Sequence, residues 1–137
     1  MMKKIISVML VFTYMLAAAI PAFAEADYIG DYNPTKYQNI SYIAPALSIS
    51  GGTASCKTSV GGRTGTTKIE ITMYLQKKIK NDWTNITKFN GEKKSQSYTL
   101  SKTTSVGRGV YRIKSYVSVY RNGSSESDTA YSKTASY

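Results

Sequence analysis

Gly109-Val110-Tyr111-Arg112-Ile113-Lys114-Ser115-Tyr116-Val117-Ser118-Val119-Tyr120-Arg121 alternates in character from one residue to the next. Sustained alternation marks a strand with one buried and one wet face, because successive side chains leave a strand on opposite sides. Tyr111, Ile113, Ser115, Val117 and Val119 fall on one side and are predicted to pack a core. Arg112, Lys114, Tyr116, Ser118 and Tyr120 fall on the other, a basic and aromatic row with no evident structural task. The fold reading hangs on the first row and the functional reading on the second.

Working outward, strands and turns alternate from residue 38 on. Ile40 to Ser50 reads as extended and interrupted by Pro45, which predicts an edge strand that changes partner at a kink. Gly51-Gly52 is a turn. Thr53 to Val60 sets Ala54, Cys56, Thr58 and Val60 against Thr53, Ser55, Lys57 and Ser59, and a glycine-rich loop follows over 61–65. Lys68 to Lys78 is the second clear strand, with Ile69, Ile71, Met73 and Leu75 inward and Lys68, Glu70, Thr72, Tyr74 and Gln76 outward. Lys80-Asn81-Asp82 predicts a turn. The next strand sets Trp83, Asn85, Thr87 and Phe89 opposite Thr84, Ile86 and Lys88, and Asn90-Gly91 predicts a turn after it. Ser95 to Lys102 carries Tyr98 and Leu100. Asn122 to Asp128 reads as a hairpin loop, and Thr129 to Tyr137 as the last strand. About seven such strands, rich in Thr, Tyr and Val and without an amphipathic helix, predict an all-β, antiparallel β-sandwich over residues 38–137. No internal repeat points to a propeller or solenoid.

Met1 to Ala24 reads as a helical secretory signal peptide that is cleaved. Lys3 and Lys4 form the positive n-region, Ile5 to Ile20 the apolar run, and Ala22-Phe23-Ala24 the small-x-small cut site. The run is shorter than the ~20 residues that cross a bilayer, and no cysteine stands at the cut to suggest a lipoprotein. Cleavage takes two lysines and no acid, so a net charge of +10 becomes +8 on the remaining 113 residues, one domain by size. No apolar tail follows, so a secreted chain without a transmembrane anchor is expected, held at a cell surface, if at all, non-covalently. Residues 25–37 hold three of the eight acids and no periodicity, and are expected to form a loosely ordered N-terminal arm. Cys56 is the only cysteine, so it is either a buried thiol or a site of pairing between chains; its place in an apolar row favours burial.

Three features carry a resemblance. Cys56 lies on the second strand, the Lys68 strand is followed by Trp83, and Gly109-x-Tyr111-x-Ile113 opens the sixth. Together they resemble an immunoglobulin- or fibronectin-type-III-like domain, in which a tyrosine two residues before a core position of strand F turns its hydroxyl back to the backbone. Tyr111 matches that tyrosine and Cys56 the strand-B cysteine, but Ile113 stands where a disulfide partner would be, so the resemblance implies the bare sandwich. The whole also resembles small uncharacterised secreted proteins of Gram-positive bacteria, which implies no particular activity. In a bacterial setting the Asn-x-Ser/Thr triplets at Asn39, Asn85 and Asn122 carry no sugar.

The chemistry is bounded by what is missing. There is no histidine for a base, triad or imidazole ligand, and a single cysteine makes no thiolate cluster, so no metal site or cofactor is expected. Of the acids only Glu126 and Asp128 are close neighbours, and they read as part of a solvated loop rather than a glycosidase pair. Asp82 and Glu92 read as turn residues. The loop at 61–65 lacks the lysine and following helix of a phosphate loop. No enzyme is expected. If the Lys68 and Gly109 strands are sheet neighbours, as the resemblance implies, Lys68, Tyr74, Arg112, Lys114, Tyr116 and Tyr120 share one outward surface. Tyrosine rings stack on sugars and bond them, and Arg and Lys attract phosphate and carboxylate. The expectation is a secreted, non-catalytic module binding cell-wall or other anionic or carbohydrate polymers; the bland alternative is that these are ordinary exposed strand residues. A second expectation is an inhibitor, effector or surface subunit that docks on another extracellular protein by an edge strand. Secretion argues against nucleic acid as the partner, and the lack of an amphipathic helix against a membrane-disrupting protein.

Overall fold

The computed structural model describes residues 37–137, and the expected signal peptide and all of the arm except Tyr37 lie outside that range. The described residues contain eight strands and no helix: β1 (Ile40–Ser50), β2 (Thr53–Gly62), β3 (Thr66–Ile79), β4 (Asp82–Lys93), β5 (Ser97–Ser105), β6 (Val110–Arg121), β7 (Ser124–Tyr131) and β8 (Ala135–Ser136). All pairings are antiparallel. One sheet has the order β1-β2-β5; the other has β4-β3-β6-β7, with β8 continuing beside β6 where β7 stops.

The alternating rows do what their chemistry demands. Tyr111, Ile113, Ser115, Val117 and Val119 of β6 are buried, as are Ile69, Ile71, Met73 and Leu75 of β3 and Ala54, Cys56, Thr58 and Val60 of β2. With Ile43 and Leu47 of β1, Leu100 of β5 and Ala130 of β7 the apolar ones among them form one hydrophobic cluster fed by both sheets. Each large aliphatic side chain withdrawn from water is worth ~1.5–3 kcal/mol, which is why a one-residue slip of register is not tolerated. Inside the cluster the hydroxyls of Thr58 and Ser115 meet at 2.6 Å, one from each sheet, and Thr58 also reaches the sulfur of Met73 at 3.2 Å. Tyr111 turns its hydroxyl to the carbonyl of Gly107 at 2.8 Å.

Several expectations are corrected. The described residues form eight strands rather than about seven, because the C-terminal segment is two: after β7 the Ser132 hydroxyl accepts from the Ile113 N–H at 2.8 Å, and β8 then resumes the ladder. β1 pairs with β2 on both sides of Pro45 with no change of partner; an edge strand can hold a residue without an N–H. Asn90-Gly91 is not a turn but the interior of β4, and Gly91 is there because a Cβ would overlap the Tyr98 hydroxyl. The turn after β6 is only Asn122-Gly123, both with positive φ, so Ser124 to Asp128 belong to a strand and not to a loop. In β4 a register shift between the Leu75 and Gln76 pairings skips Ile86. Thr87 and Phe89 therefore share the inward parity of Leu75 and Met73, whereas Asn85 and Trp83 pair with Gln76 and Lys78 on the outward face.

Candidate functional site

The β3–β6 register sets the outward rows directly across from one another: Lys68 with Tyr120, Glu70 with Ser118, Thr72 with Tyr116, Tyr74 with Lys114 and Gln76 with Arg112. The six residues expected to form the surface thus lie on one face. Opposed residues alternate cation and ring across four strands, Lys88–Tyr74–Lys114–Tyr131, through the β3–β4 and β6–β7 registers. Tyr116, 47% exposed, sits between Thr72 and Thr129.

The two ends of this face differ. At the Tyr120 end the charges are satisfied internally. Lys68 Nζ is 3.0 Å from Glu70 Oε1 and 4.3 Å from the centre of the Tyr120 ring, and the Tyr120 hydroxyl donates to Glu70 Oε2 at 3.2 Å. The Lys68 ammonium bonded to Glu70 holds that carboxyl below the ordinary glutamate range, the Tyr120 hydroxyl adding to it against a smaller effect of burial. Lys68 and Tyr120, of the expected binding residues, are therefore engaged with Glu70.

At the other end, Arg112 lies between two aromatic rings, its guanidinium carbon 4.4 Å from the Trp83 ring and 4.3 Å from the Tyr131 ring. Its Nε donates to Gln76 Oε1 at 2.8 Å, and Gln76 Nε2 donates to Asn85 Oδ1 at 2.9 Å. Gln76 is buried although it belongs to the outward row, because Asn85 and Arg112 close over it and satisfy its amide. Lys88 Nζ stands 6.0 Å from the Tyr74 ring.

Trp83 and Tyr131 are the residues that sequence reasoning left out of this surface. Strict alternation along β4 could not show that skipping Ile86 puts Trp83 outward beside Lys78. Tyr131 was legible in part: next to the apolar Ala130, it takes the opposite face once the strand's register is known.

The acids are arranged otherwise than expected. Glu92 lies in β4, directly opposite Glu70. These two line a cleft with Thr72, Asn90 and Gly91, but an acid held in its ionised form by Lys68 is not poised to donate a proton. Glu126 and Asp128 are not a solvated loop tip. Glu126 accepts from the backbone N–H groups of Gln38 (2.8 Å), Asn39 (3.0 Å) and Ile40 (2.8 Å), and Asp128 accepts from the Tyr37 hydroxyl. Burial pushes the Glu126 carboxyl up, but the three N–H donors, with Arg63 nearby, outweigh it and hold it below its ordinary value. Among the described residues no group of three or more His, Cys, Asp or Glu is placed to hold a metal ion. Cys56 is a buried free thiol that desolvation pushes up to about 12.

The outward face of the β1-β2-β5 sheet offers a contrast. Its paired positions are alanine, serine, threonine and glycine, with Tyr42 and Lys57 the only large side chains. No protein-family model, curated protein or solved structure matches the chain.

Proposed function

We propose that this is a secreted, non-catalytic binding module for cell-wall or other anionic or carbohydrate polymers, and that the β4-β3-β6-β7 face is its binding surface. The observation that carries the reading is the half of that face around Tyr116, Lys114 and Arg112. Cations and tyrosines alternate there across four strands, and no carboxylate occupies its outward positions. Such a surface can stack on rings and attract anions at the same time.

The scaffold reads as an immunoglobulin-like sandwich of the fibronectin-type-III kind. On this reading β1, β2 and β5 correspond to strands A, B and E, and β3, β6 and β7 to C, F and G, with β4 added beside C. The Tyr111–Gly107 bond, spanning four residues ahead of strand F, supports this correspondence.

Docking by an edge strand is the weaker reading, because the edges carry features that oppose strand addition. Pro45 lies in β1. Lys102 of β5 and Lys93 of β4 stand at core-side positions opposite Cys56 and Ile69. The backbone of residues 38–40 is tied to Glu126 of β7.

The test is retention of the full chain on purified Gram-positive cell wall. Binding is expected to weaken with added salt, and Lys114→Ala combined with Tyr116→Ala to lower retention at least about tenfold. Retention unchanged in that double variant would overturn the proposal.

A further inference from the structure

We infer that Arg112, stacked between Trp83 and Tyr131, is a preorganised oxyanion subsite, and that the polymer it takes carries phosphate or carboxylate groups rather than hydroxyls alone. This deepens the binding-face reading above and rests on it.

Three observations converge. The guanidinium carbon lies over two rings, Trp83 of β4 at 4.4 Å and Tyr131 of β7 at 4.3 Å, which limits its movement. The bond from Nε to buried Gln76, itself bonded to Asn85, fixes its rotation. The side-chain entropy that an arginine ordinarily loses on gripping a ligand has therefore already been lost. Nε is the only guanidinium nitrogen used, and the two terminal nitrogens have no acceptor among the described residues. Their N–H groups form the fork that matches the two oxygens of a phosphate or carboxylate.

The surroundings select charge. Lys114 is the next outward residue along β6, about 7 Å away by strand geometry, so a chain with an anion on successive units can meet both cations. Lys78 of β3 and Lys88 of β4 share this face and are in no ion pair among the described residues, whereas the face's carboxylates, Glu70 and Glu92, oppose each other toward the far end. A neutral glycan would want the ring faces of Trp83 and Tyr131, and each has one side covered by the guanidinium. A polyanionic polysaccharide or polyol chain is the occupant that uses both the fork and the row of cations.

Trp83 is the only tryptophan in the chain, so its emission reports this subsite directly. The full chain is titrated with poly(glycerol phosphate), polygalacturonate, dextran and a single-stranded oligonucleotide. At least one of the first two is expected to shift Trp83 emission and bind, the tighter of them telling phosphate from carboxylate, with dextran silent. Arg112→Lys keeps the charge but loses the fork and the hold of Gln76, and should lower that affinity about tenfold. Tyr131→Leu, at an exposed site, should lower it as well, and provides a second reading if Arg112→Lys folds poorly. Lys57→Ala, on the other sheet, should leave it unchanged.

Dextran binding as tightly as the anionic polymers, the oligonucleotide binding more tightly than either, or Arg112→Lys and Tyr131→Leu both matching the parent would overturn the subsite. The binding-face reading survives that last result if Lys114→Ala with Tyr116→Ala still weakens binding. Silence of the parent chain toward all four probes would instead remove both.

Discussion

Thr58 and Ser115 place two hydroxyls in the middle of an otherwise apolar cluster, and each is the other's partner at 2.6 Å. A buried hydroxyl costs little while paired and much when orphaned. Thr58→Val keeps the shape but strands the Ser115 hydroxyl, so it is expected to destabilise the chain by ~1–3 kcal/mol. Adding Ser115→Ala to that variant removes the orphan and should recover a large part of the loss. Urea unfolding of the two single variants and the double checks this, and strict additivity would show that the pair does not interact. The pair was half visible beforehand: both residues fell in inward rows, but which strand faced which was not in their spacing.

β7 shows how an element acquires a role from what lies against it. Its first residues read as loop chemistry, yet on the row that pairs with buried Val119 and Val117, Glu126 accepts three backbone N–H groups from residues 38–40 and Asp128 accepts from Tyr37. The folded-state pKa of Glu126 lies below its ordinary value. Its contribution is therefore complete above the unfolded glutamate value of about 4.3 and is lost as pH falls through the lower folded value. The N–H resonances of Gln38, Asn39 and Ile40 should titrate together with a midpoint below about 4.3, and Glu126→Gln should abolish that titration. A midpoint at or above that value would mean that the latch does not favour the ionised form. β4 carries a related lesson, because skipping one residue, Ile86, moves Trp83 to the outward face and makes the Arg112 stack possible.

At the scale of the whole molecule, the two outward faces are unlike: one is small and hydroxylated, the other cationic and aromatic. The asymmetry follows from strand order, since β3 and β6, which carry the long polar side chains, are neighbours. Cys56 sits between the sheets at 1% exposure with its thiol pushed up to about 12, so neither access nor ionisation favours reaction. A thiol reagent at neutral pH should leave the native chain untouched and modify one group per chain in urea, the reaction tracking global unfolding. Rapid native labelling, or dimers lost on reduction, would contradict the burial.

Local alternation by itself determined the inward rows of β2, β3 and β6, because a period of two admits only one choice of buried face when one row is apolar and the other charged. The absence of histidine and the single cysteine were likewise plain from composition. Only the tertiary structure decided that Asn90-Gly91 continues a strand, since Tyr98 needs the space a Cβ would fill, and that Ser124 to Asp128 form an edge holding the backbone of residues 38–40. It also decided that Lys68 and Tyr120 are occupied by Glu70 while Arg112 is held open between two rings. Those outcomes depend on contacts between residues far apart in the chain, and neither spacing nor composition encodes which distant side chain arrives opposite a given one.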